Sequence, residues 1–139
     1  TDGVDASLLW IAVPFGVVDV DDPAFVRTAE RIEAELVTPS GGVVRYLGDT
    51  YYGGGEWLLL TAWSGWVHLT AGRVDVALER LQWVERQATE TLDLPEQVTD
   101  HSQDPTRVAE WVERWGPVAT PLLWSHAMYL TLVHEIGFA

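Results

Sequence analysis

The segment from Arg45 to Trp57 concentrates side chains that could bind a polyhydroxylated ligand. Within thirteen positions it supplies the guanidinium of Arg45, the carboxylate of Asp49, three phenols and the indole of Trp57. Arginine and aspartate can hold paired hydroxyls through charge-assisted hydrogen bonds, and flat aromatic rings suit the C–H faces of a sugar. The same residues would also form a structural Arg45–Asp49 ion pair with aromatic rings packed beneath it. The segment alone favours the two interpretations equally.

A carboxylate follows a proline in a second candidate segment, LPEQV at positions 94–98. Pro95 is rigid and lies beyond an apolar helix, so it could direct Glu96 toward a cavity. A carboxylate in that position can act as a general base by taking a proton from water. Taken alone the pattern is weak evidence, because glutamates in loops are mostly solvated surface residues.

Other catalytic chemistries have less support in the sequence. The chain has no cysteine, and His68, His126 and His134 lie in helical runs without the spacing of metal ligands. No metal and no cofactor are therefore expected. The serines lack a G-x-S-x-G frame, and the glycines at 48 and 53–55 are not followed by the Lys-Ser/Thr pair of a phosphate-binding loop.

The composition limits the classes of partner. The 139 residues include 21 acidic and 8 basic side chains, which gives a formal net charge of −13. That charge argues against nucleic acid, because phosphate backbones select Lys/Arg surfaces, and against anionic membranes. No apolar run approaches the roughly 20 residues of a membrane helix. We expect a soluble protein, and the lack of cysteine leaves its compartment open, with the cytoplasm slightly favoured over secretion.

Helices are the elements that must position these segments. Three runs are apolar on nearly every side: 6–15, 57–69 and 122–136. Two runs between them are apolar on one side only: 23–37 and 74–89. A helix that is apolar all round must be surrounded, whereas a one-sided helix covers a neighbour. The alternation predicts an all-α fold of helical hairpins in two layers, with an irregular or β-like loop near 43–55 and a short polar helix near 108–115.

Three motifs in order make the chain similar to glycoside hydrolase family 15. They are RYLGDTYYGGGEW, LPEQV and TPLLWSHA, and together they resemble the C-terminal part of that family's catalytic domain. The family includes glucoamylases, glucodextranases and a group of bacterial trehalases. The resemblance covers essentially the whole chain, and it implies that residues 1–139 are one segment, roughly the C-terminal half of an (α/α)6 barrel.

The resemblance also implies a reaction and a set of site residues. The family hydrolyses α-glucosidic bonds from the non-reducing end with inversion, so an α-glucan or α-glucoside is the expected substrate. Glu96 would be the general base, and Arg45 and Asp49 match positions that bind the terminal glucose. The resemblance further implies that aromatic residues line the sugar-binding site: Trp57, Trp124, Tyr46 and, less specifically, Tyr51 and Tyr52.

One part of the family's machinery has no counterpart in this chain. An inverting glycosidase needs two carboxyl groups about 6.5–9.5 Å apart, and the family's general acid lies in an earlier loop. We therefore expect a hydrolase as the parent protein, an inactive isolated segment, and association with itself or with the N-terminal part of the same protein. Glu56 is not assigned as the acid; its expected role is helix N-terminal charge or loop packing.

Two alternatives remain beside a glucoamylase-like hydrolase. One is a trehalase of the same family, because the residues that select α-1,4, α-1,6 or trehalose linkages lie mostly outside this chain. The other is a non-catalytic helical interaction module, which the same alternation of helices would also build. The module would not need Arg45, Glu96 and Trp124 to lie on a common rim.

Overall fold

The computed structural model describes residues 3–137, so positions 1, 2, 138 and 139 of the predicted segment lie outside the described residues. The described part contains five α-helices: α1 (Pro23–Leu36), α2 (Leu58–Thr70), α3 (Val74–Arg86), α4 (Thr106–Trp115) and α5 (Leu123–Gly137). Two 3-10 helices and three short strands lie between them: Ala6–Ile11, Tyr51–Gly53, β1 (Val43–Val44), β2 (Glu56–Trp57) and β3 (Gln97–Val98). The predicted all-α class is confirmed, with a small sheet added.

The start of α1 is set by its local sequence. The Oδ1 atom of Asp22 accepts the backbone N–H groups of Ala24 at 2.8 Å and Phe25 at 3.3 Å. Proline occupies the first helical position, where its missing N–H has no intrahelical partner to lose. The buried side chains of α1 include Phe25, Ile32 and Leu36, which lie on the predicted apolar stripe. The one-sided helix predicted over 23–37 is therefore confirmed.

Helix α2 occupies the centre of the fold. Almost all of its side chains are buried, and it packs against α3, α5 and the first 3-10 helix. Gly65 allows the close approach, because a Cβ atom there would lie 2.9 Å from a methyl of Leu132 on α5 and 3.1 Å from Cβ of Arg80 on α3. The prediction that this run is surrounded is confirmed.

The first apolar run is shorter than predicted and is not an α-helix. A 3-10 helix covers Ala6–Ile11, and the side chain of Asp5 caps it by accepting the N–H of Ser7 at 2.8 Å. Pro14 explains the early end, because proline lacks an N–H and disfavours helical geometry in the residue before it. The predicted run over 6–15 is thus wrong in type and in length.

The buried face of α3 differs from the predicted stripe. The apolar side predicted for the run 74–89 includes Val74 and Leu78, which are 44% and 39% exposed, whereas Arg80, predicted for the polar side, is buried. Nη2 of Arg80 donates to Oε2 of Glu33 on α1 over 2.7 Å, and its Nη1 donates to the carbonyl of Gly41 over 3.2 Å. These partners, which helical periodicity does not reveal, draw the cation inward.

Helix α5 is apolar but is not surrounded within residues 3–137. Its buried residues are Ser125, Met128 and Leu132, whereas Leu123 and Leu130 are 82% and 62% exposed. The two leucines are seven positions apart and so lie on one stripe. The uncovered stripe is what an incomplete barrel leaves exposed when the rest of the domain is absent.

The small antiparallel sheet joins the two candidate segments. The strands lie in the order β1-β2-β3, with Val44 opposite Glu56 and Glu56 opposite Val98. The β-like character predicted near 43–55 is therefore confirmed at Val43–Val44 and wrong at residues 50–52, where a 3-10 helix begins. Both outer strands are antiparallel to β2, so Arg45, which follows β1, and Glu96, which precedes β3, leave the sheet at opposite ends.

Candidate active site

Arg45 and Asp49 form a bidentate ion pair at the edge of the sheet. Nε of Arg45 donates to Oδ2 of Asp49 and Nη2 donates to Oδ1, each over 2.9 Å. The carboxylate is 1% exposed and also accepts the backbone N–H of Tyr51, while the Arg45 side chain is 33% exposed. A guanidinium has five N–H donors, so this ion pair uses two and leaves others on a partly exposed side chain.

Three aromatic rings surround the guanidinium of Arg45. Its central carbon lies 5.0 Å from the ring centre of Tyr46, 5.5 Å from that of Tyr51 and 5.1 Å from that of Trp57. A cation within about 6 Å of an aromatic ring is attracted by the ring's quadrupole. The ion pair and the packed aromatic rings of the structural interpretation are therefore both present, and they leave an arginine fixed beside flat aromatic faces.

Glu96 enters this site through Tyr51. The phenolic hydroxyl of Tyr51 donates to Oε2 of Glu96 over 3.0 Å. Burial raises the pKa of the Glu96 carboxyl, although the hydrogen bond from Tyr51 and the charge of Arg45 act in the opposite direction. Burial and the neighbouring carboxylate raise the pKa of Tyr51 to about 12. At neutral pH the phenol therefore keeps its proton, and Glu96 is a stronger base than a solvated carboxylate.

The backbone around Glu96 is fixed from three sides. Its N–H donates to the carbonyl of Ala119 over 2.9 Å, and its carbonyl accepts the N–H of Leu58, the first residue of α2, over 3.3 Å. The hydroxyl of Ser125 in α5 donates to the carbonyl of Pro95 over 2.7 Å. The LPEQV and WSHA motifs therefore meet because the start of α5 hydrogen-bonds the loop that contains Glu96.

Gln97 connects the same loop to the glycine-rich segment. Its Oε1 accepts the N–H of Gly55 over 2.9 Å, and its Nε2 lies 3.5 Å from the carbonyl oxygen of Tyr51. A Cβ atom at Gly55 would lie only 2.3 Å from the carbonyl oxygen of Val98. Glycine at this position is what permits the tyrosine segment to lie directly beside β3.

Trp124 belongs to a second aromatic cluster. Its ring centre lies 5.5 Å from that of Trp10, which stacks on Trp63 at 4.5 Å, and Trp124 is 46% exposed. Its neighbour Ser125 hydrogen-bonds the carbonyl of Pro95, the residue before Glu96, so Trp124 is tied to the loop of the proposed base and not to the rings around Arg45. Side-chain contacts bring together the remaining predicted site residues: Arg45, Asp49, Tyr46, Trp57 and, through Tyr51, Glu96.

The sequence indicated one residue of the site only in part and another not at all. Tyr51 contacts both Glu96 and Arg45, yet its position in the motif marked it only as one possible lining residue. The ring of Trp111 on α4 lies 5.0 Å from that of Tyr51, although Trp111 falls in the stretch predicted only as a short polar helix. Tyr52 points elsewhere: its φ is +46°, and its hydroxyl donates to the carbonyl of Gly116 over 2.8 Å.

The described residues do not suggest a metal centre or a membrane segment. Within residues 3–137, no three His, Asp or Glu side chains are grouped so that they could hold a metal ion. None of the helices described has the length and hydrophobicity needed to cross a bilayer. What the site offers is a carboxylate with a raised pKa, a fixed arginine–aspartate pair and exposed aromatic surface.

Comparison with curated proteins gives relatives among carbohydrate-active enzymes. No protein-family model matches the chain. An isomaltose glucohydrolase of Kribbella flavida is 48% identical over 137 residues, which cover 99% of this chain and 35% of the relative. A trehalase of Sulfolobus acidocaldarius is 37% identical over 86 residues, which cover 60% of this chain and 15% of that protein.

Solved structures agree with these relatives in fold. A glycosidase variant in complex with glucose matches with a TM-score of 0.95 and 47% identity, over 99% of this chain and 37% of the other. A bacterial glucoamylase complexed with acarbose matches with a TM-score of 0.73 and 29% identity, over 98% of this chain and 21% of the other.

The chain is therefore similar in sequence and in fold to part of the glucoamylase-like glycoside hydrolases, which confirms the resemblance that the motifs indicate. It spans 35% of the length of the isomaltose glucohydrolase that it matches.

Proposed function

We propose that this chain is the C-terminal part of the catalytic domain of an inverting α-glucoside hydrolase. In this proposal it contains the general base and part of the glucose-binding site, and the general acid lies outside it. The observation that carries the proposal is the position of Glu96, which has a raised pKa and is hydrogen-bonded by Tyr51 beside the Arg45–Asp49 pair. The names of the relatives support a glycosidic substrate.

Glu96 acts in this proposal on a water molecule. Tyr51 occupies Oε2, so Oε1 takes a proton as the water oxygen bonds to the anomeric carbon. The glycosidic C–O bond breaks on the opposite face, and its oxygen receives a proton from the acid elsewhere in the protein. Water attacks from the face opposite the leaving group, so an α-glucoside yields β-glucose as the first product.

The arginine–aspartate pair recognises the terminal glucose. Arg45 is held by Asp49, so its remaining N–H donors are fixed in direction and can bind vicinal hydroxyls. Trp57 and Tyr46 supply apolar faces next to those hydroxyls, and Trp124 supplies another from the start of α5. The substrate is an α-glucan or α-glucoside, and isomaltose is a specific candidate because a relative is named for it.

A trehalase is the alternative within the same class. Its support is narrower, because the trehalase of Sulfolobus acidocaldarius matches over 60% of this chain only. The non-catalytic module is less favoured than either hydrolase. It gives no reason for Arg45, Asp49 and Glu96 all to contact Tyr51, which is the support that the hydrolase proposal has over it.

The domain proposal is supported by the exposed stripe of α5. Leu123 and Leu130 are too exposed for a helix that is apolar on nearly all sides, and apolar stripes of this kind mark contact surfaces. In an (α/α)6 barrel the helices of the preceding part would cover them. The isolated segment then lacks both that cover and the general acid, so we expect it to be inactive.

The test is the Glu96→Gln variant of the full-length protein, assayed on isomaltose, maltose and trehalose. We expect turnover of the preferred substrate to fall by about 10²–10⁴, the usual contribution of a general base. Glu90→Gln is the matched control, because Glu90 is an exposed glutamate near the same loop. Proton NMR should show β-glucose as the first product of the wild type. Full turnover by Glu96→Gln, or α-glucose as the first product, would contradict the proposal.

A further inference from the structure

Glu56 is a buried carboxylate that the proposed reaction does not use. It lies in β2 and its side chain is 1% exposed. Its Oε1 accepts hydrogen bonds from the hydroxyls of Thr38 and Ser40, and its Oε2 lies 3.3 Å from Nδ1 of His101. Burying a carboxylate is unfavourable unless hydrogen bonds replace its hydration, and these three partners do so.

The partners of Glu56 come from two different segments. Thr38 and Ser40 belong to the turn that follows α1, and His101 belongs to the loop that follows β3. The turn is fixed in addition by α3, because Nε1 of Trp83 donates to the hydroxyl of Ser40 over 3.0 Å. One carboxylate thus holds two connections that flank the sheet on either side.

The residue before β1 packs closely against the Glu56 side chain. A Cβ atom at Gly42 would lie 2.8 Å from Cβ of Glu56 and 2.4 Å from a ring carbon of Trp83. The turn before β1 therefore lies directly against the Glu56 side chain. A shift of that side chain would displace the turn, and with it the strand that leads into Arg45.

Glu56 and the proposed site share the same three strands. Neighbouring residues of a strand point to opposite faces, so Glu56 lies on the face opposite Trp57. Its cross-strand partners are Val44, which precedes Arg45, and Val98, which lies two positions after Glu96. The hydrogen bonds of Glu56 therefore act on the strands from which Arg45, Trp57 and Glu96 emerge.

We propose that Glu56 is a positioning residue for the glucoside site: its buried carboxylate fixes the sheet that aligns Trp57 and Glu96. This inference rests on the proposed function. Glu56 takes no part in proton transfer and does not touch the substrate, because it is enclosed on the other face of the sheet.

The test compares Glu56→Ala with Glu56→Gln in the full-length protein. The alanine removes all three hydrogen bonds, so we expect kcat/KM to fall at least tenfold. Glutamine keeps an oxygen that can accept from Thr38 and Ser40, and should recover most of the activity. We also expect the acidic limb of the kcat/KM profile to move to higher pH in Glu56→Ala, because Glu96 then loses its alignment with Tyr51 and Arg45.

The pH profile separates positioning from loss of folded protein. Unfolding of a fraction of the molecules lowers kcat without moving the limb, because the remaining molecules keep the wild-type site. Thr38→Val is a milder variant that removes one donor while preserving shape, and it should move the limb in the same direction by a smaller amount. If the acidic limb of the kcat/KM profile stays at the wild-type pH in both Glu56→Ala and Thr38→Val, the inference is overturned.

Glu96→Gln, assayed in parallel, separates the two proposals. If Glu96→Gln is inactive while Glu56→Ala keeps the wild-type kcat/KM and limb, the positioning role is wrong and the proposed base stands. If Glu96→Gln keeps full turnover, the proposed function is wrong and the role of Glu56 fails with it.

Discussion

The hydroxyl of Tyr51 donates a hydrogen bond to Oε2 of Glu96 over 3.0 Å, although the two residues are 45 positions apart in the chain. The Tyr51 ring is fixed by neighbours on two sides: it stacks on Trp57 at 5.9 Å and meets Trp111 edge to face at 5.0 Å. A donor held in this way orients the carboxylate before any substrate arrives. The tyrosine is therefore the link between the Arg45–Asp49 pair and the proposed base.

Replacing Tyr51 with phenylalanine should change the pH dependence of catalysis. The variant keeps the ring stack but removes the hydrogen bond, which favours the ionised form of Glu96 and so lowers its pKa. Without that bond the pKa of Glu96 rises, and the acidic limb of the kcat/KM profile moves to higher pH. Turnover at neutral pH should fall by less than the about 10²–10⁴ expected for loss of the base itself.

Tyr52→Phe is the matched control for that measurement. Its hydroxyl donates to the carbonyl of Gly116 rather than to Glu96, so its removal should leave the acidic limb in place. Equal shifts in the two variants, or no shift in Tyr51→Phe, would show that the Tyr51–Glu96 hydrogen bond does not tune the base.

Asp49→Asn should weaken both the fold and substrate binding. The amide has one acceptor oxygen where the carboxylate has two, so the bidentate pair with Arg45 is lost and the guanidinium loses its fixed direction. We expect a loss of about 1–2 kcal/mol in the free energy of unfolding, below the about 3–5 of a fully buried pair, because Arg45 is 33% exposed. KM for the glucoside should rise. Urea denaturation and steady-state kinetics of the full-length protein measure the two effects.

Glu35→Gln provides a control with the same sequence spacing. Arg31 and Glu35 also form an i,i+4 ion pair, but their side chains are 48% and 29% exposed. Pairs of this kind on helix surfaces contribute about 0.3–0.5 kcal/mol, and KM should not change. A result in which Asp49→Asn behaves like Glu35→Gln would rule out an organised Arg45–Asp49 site.

The exposed stripe of α5 predicts the behaviour of the isolated 139-residue segment. We expect it to self-associate in light scattering, and we expect a variant with Leu123→Lys and Leu130→Lys to be mainly monomeric. Burial of each leucine contributes about 1.5–3 kcal/mol, which corresponds to at least a tenfold change in dissociation constant. The two added lysines make the net charge of −13 less negative. Stronger charge repulsion between copies of the segment would therefore not explain a loss of association.

Val17→Lys is the control for a general surface effect. Val17 is 72% exposed but lies in a loop far along the chain from α5. The control should associate like the unmodified segment. A monomeric unmodified segment would contradict the proposal that this stripe contacts the rest of a barrel.

Helices with strong local signals could be predicted from the sequence. The Asp22-Pro23 pair marks the start of α1 because capping and the first-turn proline are local chemistry. The run that became α2 is so uniformly apolar that burial on all sides is its only stable state in water. For these elements the information lies within a few residues of the helix itself.

Features that depend on distant partners could not be predicted. Arg80 looks like a surface residue until Glu33 on another helix is placed beside it. Strands of two residues have no alternation from which a period can be detected, so the pairing of Trp57 with Gln97 was not visible. The motifs placed Arg45 and Glu96 in one site only through a family resemblance, and they did not indicate that Tyr51 joins them.

Helix α4 has an unusual attachment to the rest of the molecule. It has no buried residues, and its contacts are mainly with the 3-10 helix Tyr51–Gly53, where Trp111 lies against both tyrosine rings. A peripheral helix of this kind opens more readily than the core does. Any displacement of α4, by a bound glycan or by a neighbouring domain, would therefore be transmitted through Trp111 to the phenol that orients Glu96.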